Sequence, residues 1–376
     1  LSESSRFLCY GLKVIFLVES LKSIQGVMRR SKREGDTVDI KTATKAIKHG
    51  DVSPVYLLYG LEKYQIKKFT TLLEEQLLQK EDRDFAIVNY DLADTPLQVV
   101  IEEAETVPFM VPRKLIFVRD ASVFTAGKEG GKIEHRIEAL LEYMKNPAEY
   151  SILIFLVYHE KLDERKKVVK ALKAAGVVLA FAPLGGEELL GWVTKETKQR
   201  GCVLAQGTAE ALIRNAGTQL QTLTAELDKL CLYAGEGGTI DLDTVEQLVA
   251  RSTEQNVFAL VENIANLRLE QALGIFYELL KQREEPIKIA ALITRQFRII
   301  LQVKELASQS YSQQQIASQL SLHPYAVKIA GEQARKFKSG DLRQILNRLA
   351  DLDFQMKTGR IEKVLGLELF LLRLQN

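Results

Sequence analysis

The residues that come nearest to a chemical motif are Gly60-Leu-Glu-Lys-Tyr-Gln-Ile-Lys67. They follow a short apolar run, VYLLYG, and precede a segment of helical period, which is where a phosphate-binding loop joins a buried strand to a helix N-terminus. Such a loop follows the pattern GxxxxGK[ST]: glycines let backbone N–H groups wrap the phosphates, a lysine neutralises them and a hydroxyl holds magnesium. Here Gln65 stands for the second glycine, Ile66 for the lysine and Lys67 for the hydroxyl. Glu62 adds a carboxylate near the phosphate seat, where it repels. The acid pair that would hold magnesium after a later strand is missing too, because LIFVRD ends in Arg119-Asp120. Together these substitutions argue against ATP hydrolysis.

Other chemistry finds even less support. There is no GxSxG and no GxGxxG, and Asp91 and Asp94, which flank a strand end, read as solvated loop carboxylates. His49, His135, His159 and His323 are scattered without an HExxH, and Cys9, Cys202 and Cys231 form an odd set at wide spacing. No metal site or disulfide framework is expected, and the setting reads as reduced and cytoplasmic. No catalytic residue, cofactor or metal is assigned.

The elements that would position these residues are regular. The 376 residues suit two or three domains, with 46% hydrophobic and 27% charged residues and a net charge of +2. That balance gives no global field able to hold a nucleic acid. Residues 8–18, LCYGLKVIFLV, are too short to span a bilayer, are interrupted by Lys13, and precede the basic cluster Arg29, Arg30, Lys32 and Arg33, unlike a signal peptide. Residues 1–36 are read as an extension outside the fold, with Met28 as a natural start, and no membrane contact is expected.

From Asp39 onward, strands are expected at 54–60, 85–92, 114–120, 151–158 and 177–182, with helices at 40–49, 62–79, 95–105, 133–144 and 163–174. Five short apolar strands alternating with helices imply a parallel sheet covered on both faces. After Pro183 the strands stop and helical period runs to the end, with a smaller division near Thr253.

Two segments stand out against this frame. Thr106-Val-Pro-Phe-Met-Val-Pro112 lies between a helix and a strand; its two prolines exclude a continuing helix, yet it is apolar where polar turn residues are expected. It reads either as a loop tucked over the core or as an apolar plug, with Phe109 at its tip, offered to a partner's pocket. Residues 313–329, QQQIASQLSLHPYAVKI, mimic a DNA-reading helix-turn-helix but carry few groups able to read base edges, so plain helix packing is preferred. Farther on, a Leu-rich stripe that reads as core or subunit interface is interrupted by Lys357-Thr-Gly-Arg360, a small basic turn that could touch a phosphate backbone but reads better as a solvated turn.

Eight segments in one order carry a family resemblance: VYLLYG without its phosphate loop, AETVPFMVPRKLIFV, KLDERKKVVKAL, AELDKLCLYAG, ARSTEQNVFALVENI, EEPIKIAALITRQFRIILQVK, HPYAVKIA and MKTGRIEKVLGLELFLL. From about Ile40 to the C-terminus the chain resembles the delta subunit of the bacterial DNA polymerase III clamp loader, most like its Bacillus-type members. The resemblance implies α/β plus all-α architecture: a degenerate AAA+ domain over 37–183, a small helical lid over 184–253 and a helical collar over 254–376. It implies a subunit that neither binds nor hydrolyses ATP. Its partners would be the sliding clamp (beta subunit), the tau/gamma and delta prime subunits through the collar, and primed DNA within the complex. The family's clamp-binding element falls on Pro108 and Phe109, with Val107 and Met110 beside them; Pro stands where some relatives have Leu. In active relatives an Arg follows a Gly at the start of a lid helix and reaches the γ-phosphate, whereas Gly217-Thr-Gln-Leu-Gln221 has none. Lys357 and Arg360 are candidate contacts to a phosphate backbone. The alternative is a stand-alone helix-turn-helix DNA-binding protein.

Overall fold

The computed structural model describes residues 39–126 and 133–374. The expectations for residues 1–36, Met28 and Cys9 therefore lie outside the described residues. The chain divides after Ala182 into two compact units.

The first unit is built on a five-stranded, wholly parallel sheet: β1 (Val55–Tyr59), β2 (Ile87–Asp91), β3 (Lys114–Arg119), β4 (Ser151–Val157) and β5 (Val177–Ala180), in the order β2-β3-β4-β1-β5. Every residue of β4 is buried, and so are Val55–Leu58 of β1, because helices cover both faces. Alternation divides the strand side chains between two cores. Leu57, Ile116, Val118, Leu153 and Phe155 point to one face, which receives α3 (Leu97–Glu105), α4 (Ile137–Tyr143) and α5 (Lys167–Ala175). Tyr56, Leu58, Leu115, Phe117, Ile152 and Ile154 point to the other, which receives α1 (Ile40–Lys48) and α2 (Lys63–Leu77).

The helix expected at 133–144 is shorter, Ile137–Tyr143, and two further boundaries differ for local reasons. The second strand starts at Ile87, not Phe85, because the chain leaving α2 first makes a helical turn at Arg83–Ala86 that buries Ala86 and leaves Phe85 exposed. The helix expected from Asp163 starts at Lys167. Asp163 instead accepts hydrogen bonds from the Arg165 backbone N–H (3.1 Å) and guanidinium (2.9 Å), which hold that stretch in a turn.

The second unit is helical, with one correction: Val203–Leu204 and Thr239–Ile240 form a two-residue parallel ladder where no strand was expected. Pairs this short leave no periodic trace in the sequence. The helices are α6 (Gly186–Gln199), α7 (Thr208–Ala216), α8 (Leu220–Ala234), α9 (Leu242–Leu248), α10 (Thr253–Ala265), α11 (Leu269–Lys281), α12 (Pro286–Ser308), α13 (Gln313–Leu320), α14 (Pro324–Ala334), α15 (Ser339–Lys357) and α16 (Lys363–Leu372). A continuous apolar core runs from Val257 to Leu371 around α12, whose Ile289, Ile293, Phe297 and Ile300 are fully buried at helical spacing.

The turn from β1 into α2 decides what the first unit can hold. Gly60 adopts φ +135°, and a Cβ there would lie 2.1 Å from the Phe181 carbonyl oxygen. Gly60 N donates to Val157 O (3.0 Å) and Glu62 N donates to Phe181 O (3.0 Å), so the loop is bonded down onto the ends of β4 and β5. Gly60→Ala is expected to cost ~3 kcal/mol or more of stability, because backbone must move to admit the methyl group. Gly50→Ala, at φ +81° with open space around it, is expected to cost only about 1 kcal/mol. Urea denaturation of the two variants separates the clash from the conformational strain they share.

Candidate functional site

Three places were open as sites: the phosphate-loop position, the apolar loop and the helix-turn-helix. At the first, Glu62 is the N-cap of α2 and accepts from Tyr64 N (3.3 Å). The helix N-terminus, which would attract a phosphate, is thus served by the protein's own carboxylate. Burial pushes the Glu62 carboxyl above its ordinary range, opposed by the Tyr64 N–H. Glu62 N and Gly60 N, two of the backbone donors at this turn, are bonded to neighbouring strand ends. Next to this turn, a cleft of about 260 Å³ lies between α2 and the carboxyl ends of β2, β3 and β4, lined by Lys67, Asn89, Arg119 and Tyr158 among others. Among the described residues, no group of three or more His, Cys, Asp or Glu side chains could hold a metal ion.

The apolar loop leaves the opposite end of the sheet. In a parallel sheet the helix between two strands runs back, so the α3-to-β3 connection emerges at the amino edge. Its two feet are fixed: Ala104 is buried against one core and Val111 against the other, so the loop crosses the edge of the sheet. Between them Val107 is 71% exposed, Phe109 80% and Met110 77%, while Pro108 is half-buried. The tucked-in reading therefore fails for the three large side chains. Met110 stands at φ +62°, a left-handed conformation that costs a residue with a Cβ on the order of 1 kcal/mol or more and that reverses the chain just after Phe109.

The last turn of α3 is tied down by side chains that the sequence reading did not single out. Lys114, 3% exposed, donates from Nζ to the Glu103 carbonyl and to Glu103 Oε1 (2.6 Å). Tyr150 Oη donates to Glu105 O (2.5 Å) and Thr106 Oγ1 to Glu102 O (2.8 Å). Alternation carried the signal: Lys114 has the parity of Ile116 and Val118, which places it on the α3 face.

The helix-turn-helix has the expected geometry. Ser321 caps α13 in the left-handed conformation, and His323 caps α14 by accepting from Tyr325 N at Nδ1 (3.2 Å). Yet the lead end of α14, which would have to enter a groove, is packed on the same chain. A Cβ placed on Gly186 would meet both Tyr325 and Lys328 at 3.6 Å, and Tyr325, half-buried, lies in the field of Arg214 and Glu210. This pair of helices is a packing element. In the basic turn, Lys357 Nζ pairs with Asp353 (2.7 Å), and the Arg360 guanidinium lies 5.0 Å from the Phe354 ring centroid.

The first unit is a parallel α/β domain of the nucleotide-binding type whose α2 N-terminus is capped by its own carboxylate, followed by a mainly helical unit and carrying an exposed apolar loop. Two family models match the chain: "DNA polymerase III, delta subunit" over residues 56–182 and "DNA polymerase III delta subunit, C-terminal domain" over 254–374. The DNA polymerase III subunit delta of Bacillus subtilis (strain 168) is 43% identical over 330 residues, 88% of this chain and 95% of that protein. The probable DNA polymerase III subunit delta of Aquifex aeolicus (strain VF5) is 23% identical over 245 residues, 64% of this chain and 67% of that one. The solved structure of the Bacillus subtilis DNA clamp loader delta protein (YqeN) superposes with a TM-score of 0.75 at 43% identity, covering 88% of this chain and 98% of that one. The chain belongs to the DNA polymerase III delta subunit family.

The His323 cap carries a pH dependence. Burial pushes the imidazole down to about 4 from an ordinary 6.5, and Nε2 has no hydrogen-bond partner among the described residues. Because the folded pKa is the lower one, the neutral form is the folded form: its contribution is complete above pH 6.5 and is lost as the pH falls toward 4. His323→Asn keeps a capping oxygen and removes the titration. Its urea midpoint is expected to fall less than that of the wild type between pH 7 and pH 5.

Proposed function

We propose that the chain is a clamp-loader subunit that grips the sliding clamp through the loop Val107-Pro108-Phe109-Met110 and does not itself use ATP. The observation that carries this reading is the exposure of three large apolar side chains on a loop with both feet buried. A mobile apolar loop would collapse onto the protein; this one is held out by its anchorage and by the left-handed turn at Met110. A single aromatic anchor entering a partner's pocket is the usual form of an interface hot spot. Binding then favours the clamp shape that the plug fits better, a shape whose ring no longer closes, and the shift is limited by the difference in affinity for the two shapes.

Within this reading, residues 184–253 form the lid and residues 254–376 the collar that joins the tau/gamma and delta prime subunits. Primed DNA is met inside the complex. Exposed Phe354, Leu365 and Leu372 on the last two helices support a collar with faces left for neighbours. Of the basic turn, Arg360 is proposed as the better phosphate contact, since the Lys357 charge is already paired with Asp353. The filled seat at Glu62 supports the absence of ATP use: neighbouring subunits would bind the nucleotide and control when the plug is exposed.

Phe109→Ala is expected to weaken binding of the purified clamp ring by ~2–4 kcal/mol, as read by surface plasmon resonance, with an unchanged melting temperature because the ring is exposed in the free chain. Unchanged clamp affinity would sink the assignment. Titration of the isolated chain with millimolar ATP in a calorimeter is expected to give no binding heat.

A further inference from the structure

A lysine buried to 3% exposure at the start of a strand needs a reason, since its charge is costly to desolvate unless it is fully partnered. The partners of Lys114 are all in the last turn of α3. Its ammonium takes the carbonyl and the carboxylate of Glu103, and the nearby Tyr90 phenol is pushed up by burial and, secondarily, by the Glu103 charge. The final carbonyls of a helix have no partner within the helix. In α3 three of them receive side-chain donors: Glu102 from Thr106, Glu103 from Lys114 and Glu105 from Tyr150. Lys114 also ties β3 to β4, since its own N–H donates to Tyr150 O (2.8 Å). Lys114 and Tyr150 therefore link the helix that ends at residue 105 to the strand that begins at residue 114. These are the two feet of the exposed loop.

We infer that Lys114 and Tyr150 are positioning residues for the apolar plug: by locking the last turn of α3 to the start of β3, they hold Val107, Phe109 and Met110 in the presented conformation before any partner arrives. The inference rests on the proposed clamp-binding role of the loop. The ordering cost of the loop is met during folding, so that less is lost on binding. An Arg in place of Lys114 would be too bulky for so closed a site, and Met matches its length while removing the donors.

The test is a double-mutant cycle on the full-length chain, with the purified sliding-clamp ring as the probe and calorimetry or surface plasmon resonance as the readout. Lys114→Met is expected to weaken clamp binding about tenfold and Tyr150→Phe about threefold, by loss of preorganisation. Tyr150→Phe removes only a hydroxyl from a half-buried ring, so it stays folded even if Lys114→Met does not. A positioning residue acts through the group it positions, so in the Phe109→Ala background each change is expected to alter the residual affinity less than twofold. A general structural defect would weaken binding equally in both backgrounds, and that additive outcome overturns the inference. So does unchanged affinity in both brace variants when Phe109→Ala itself loses binding. If Phe109→Ala binds like the wild type, the plug reading fails first and the brace loses its purpose with it.

Discussion

Two-sided burial of the central strands is the constraint from which the rest of the first unit follows. With β4 buried along its whole length and most of β1 likewise, the centre of the sheet is closed to solvent on both faces, and the open positions lie on edge strand β2 and at the strand ends. A parallel sheet makes the two ends unlike. At the carboxyl edge, strands run into helix N-termini and the backbone N–H groups converge, which suits anions. At the amino edge, helices run into strands, and the connections are free to carry other chemistry. At the first edge the turn into α2 is capped by Glu62, and at the second the α3-to-β3 connection carries the exposed loop around Phe109. The two are separated by a strand length, on the order of 20 Å for six residues. The phosphate seat can therefore be lost without disturbing the loop around Phe109.

The closure at the carboxyl edge is more complete than the missing glycine and lysine alone would make it. A degenerate loop that stayed open could still admit a phosphate weakly. Here the Glu62 carboxylate caps the helix, the Gly60 and Glu62 amides are bonded to neighbouring strand ends, and any side chain at position 60 would collide with the Phe181 backbone. Capping and backbone pairing each oppose an anion, while the clash fixes glycine at position 60. Reinstating a lysine at position 66 would bury its charge, because Ile66 is 1% exposed within the apolar layer under α2.

What was legible in the sequence was what repeats. The strands and most helices show as runs with period two or 3.6, and the loop at 106–112 shows as an apolar stretch with two prolines where period fails. The substituted seat could be read residue by residue because a phosphate loop is local. Contacts between distant segments could not be read in this way. Gly60 meets Phe181 across most of the unit, and Tyr150 reaches Glu105 from the turn before β4. The turn at Arg83–Ala86 replaced a predicted strand start because a path onto the sheet edge outweighed the β propensity of Phe85. Lys114 is an intermediate case. Strand alternation gives its face, but its partner on α3 appears only when the helix is docked.

The size of the plug also limits what it could do alone on the proposed reading. Full burial of Val107, Phe109 and Met110 is worth roughly 1.5–3 kcal/mol each, before association costs are subtracted. Driving a two-state ring from almost wholly closed to almost wholly open needs ~5.5 kcal/mol of difference in affinity between the two shapes. That is about the gross burial of all three side chains, and it would have to fall entirely on one shape. On that reading a plug that also attaches the clamp would not meet that demand unaided, and the remaining bias toward an open ring would have to come from contacts outside the loop. A subunit without nucleotide chemistry suits that division of labour. Its rigid, two-sided sheet and braced loop would supply a grip of constant strength, while the ATP-binding neighbours change how much surface the open ring can meet.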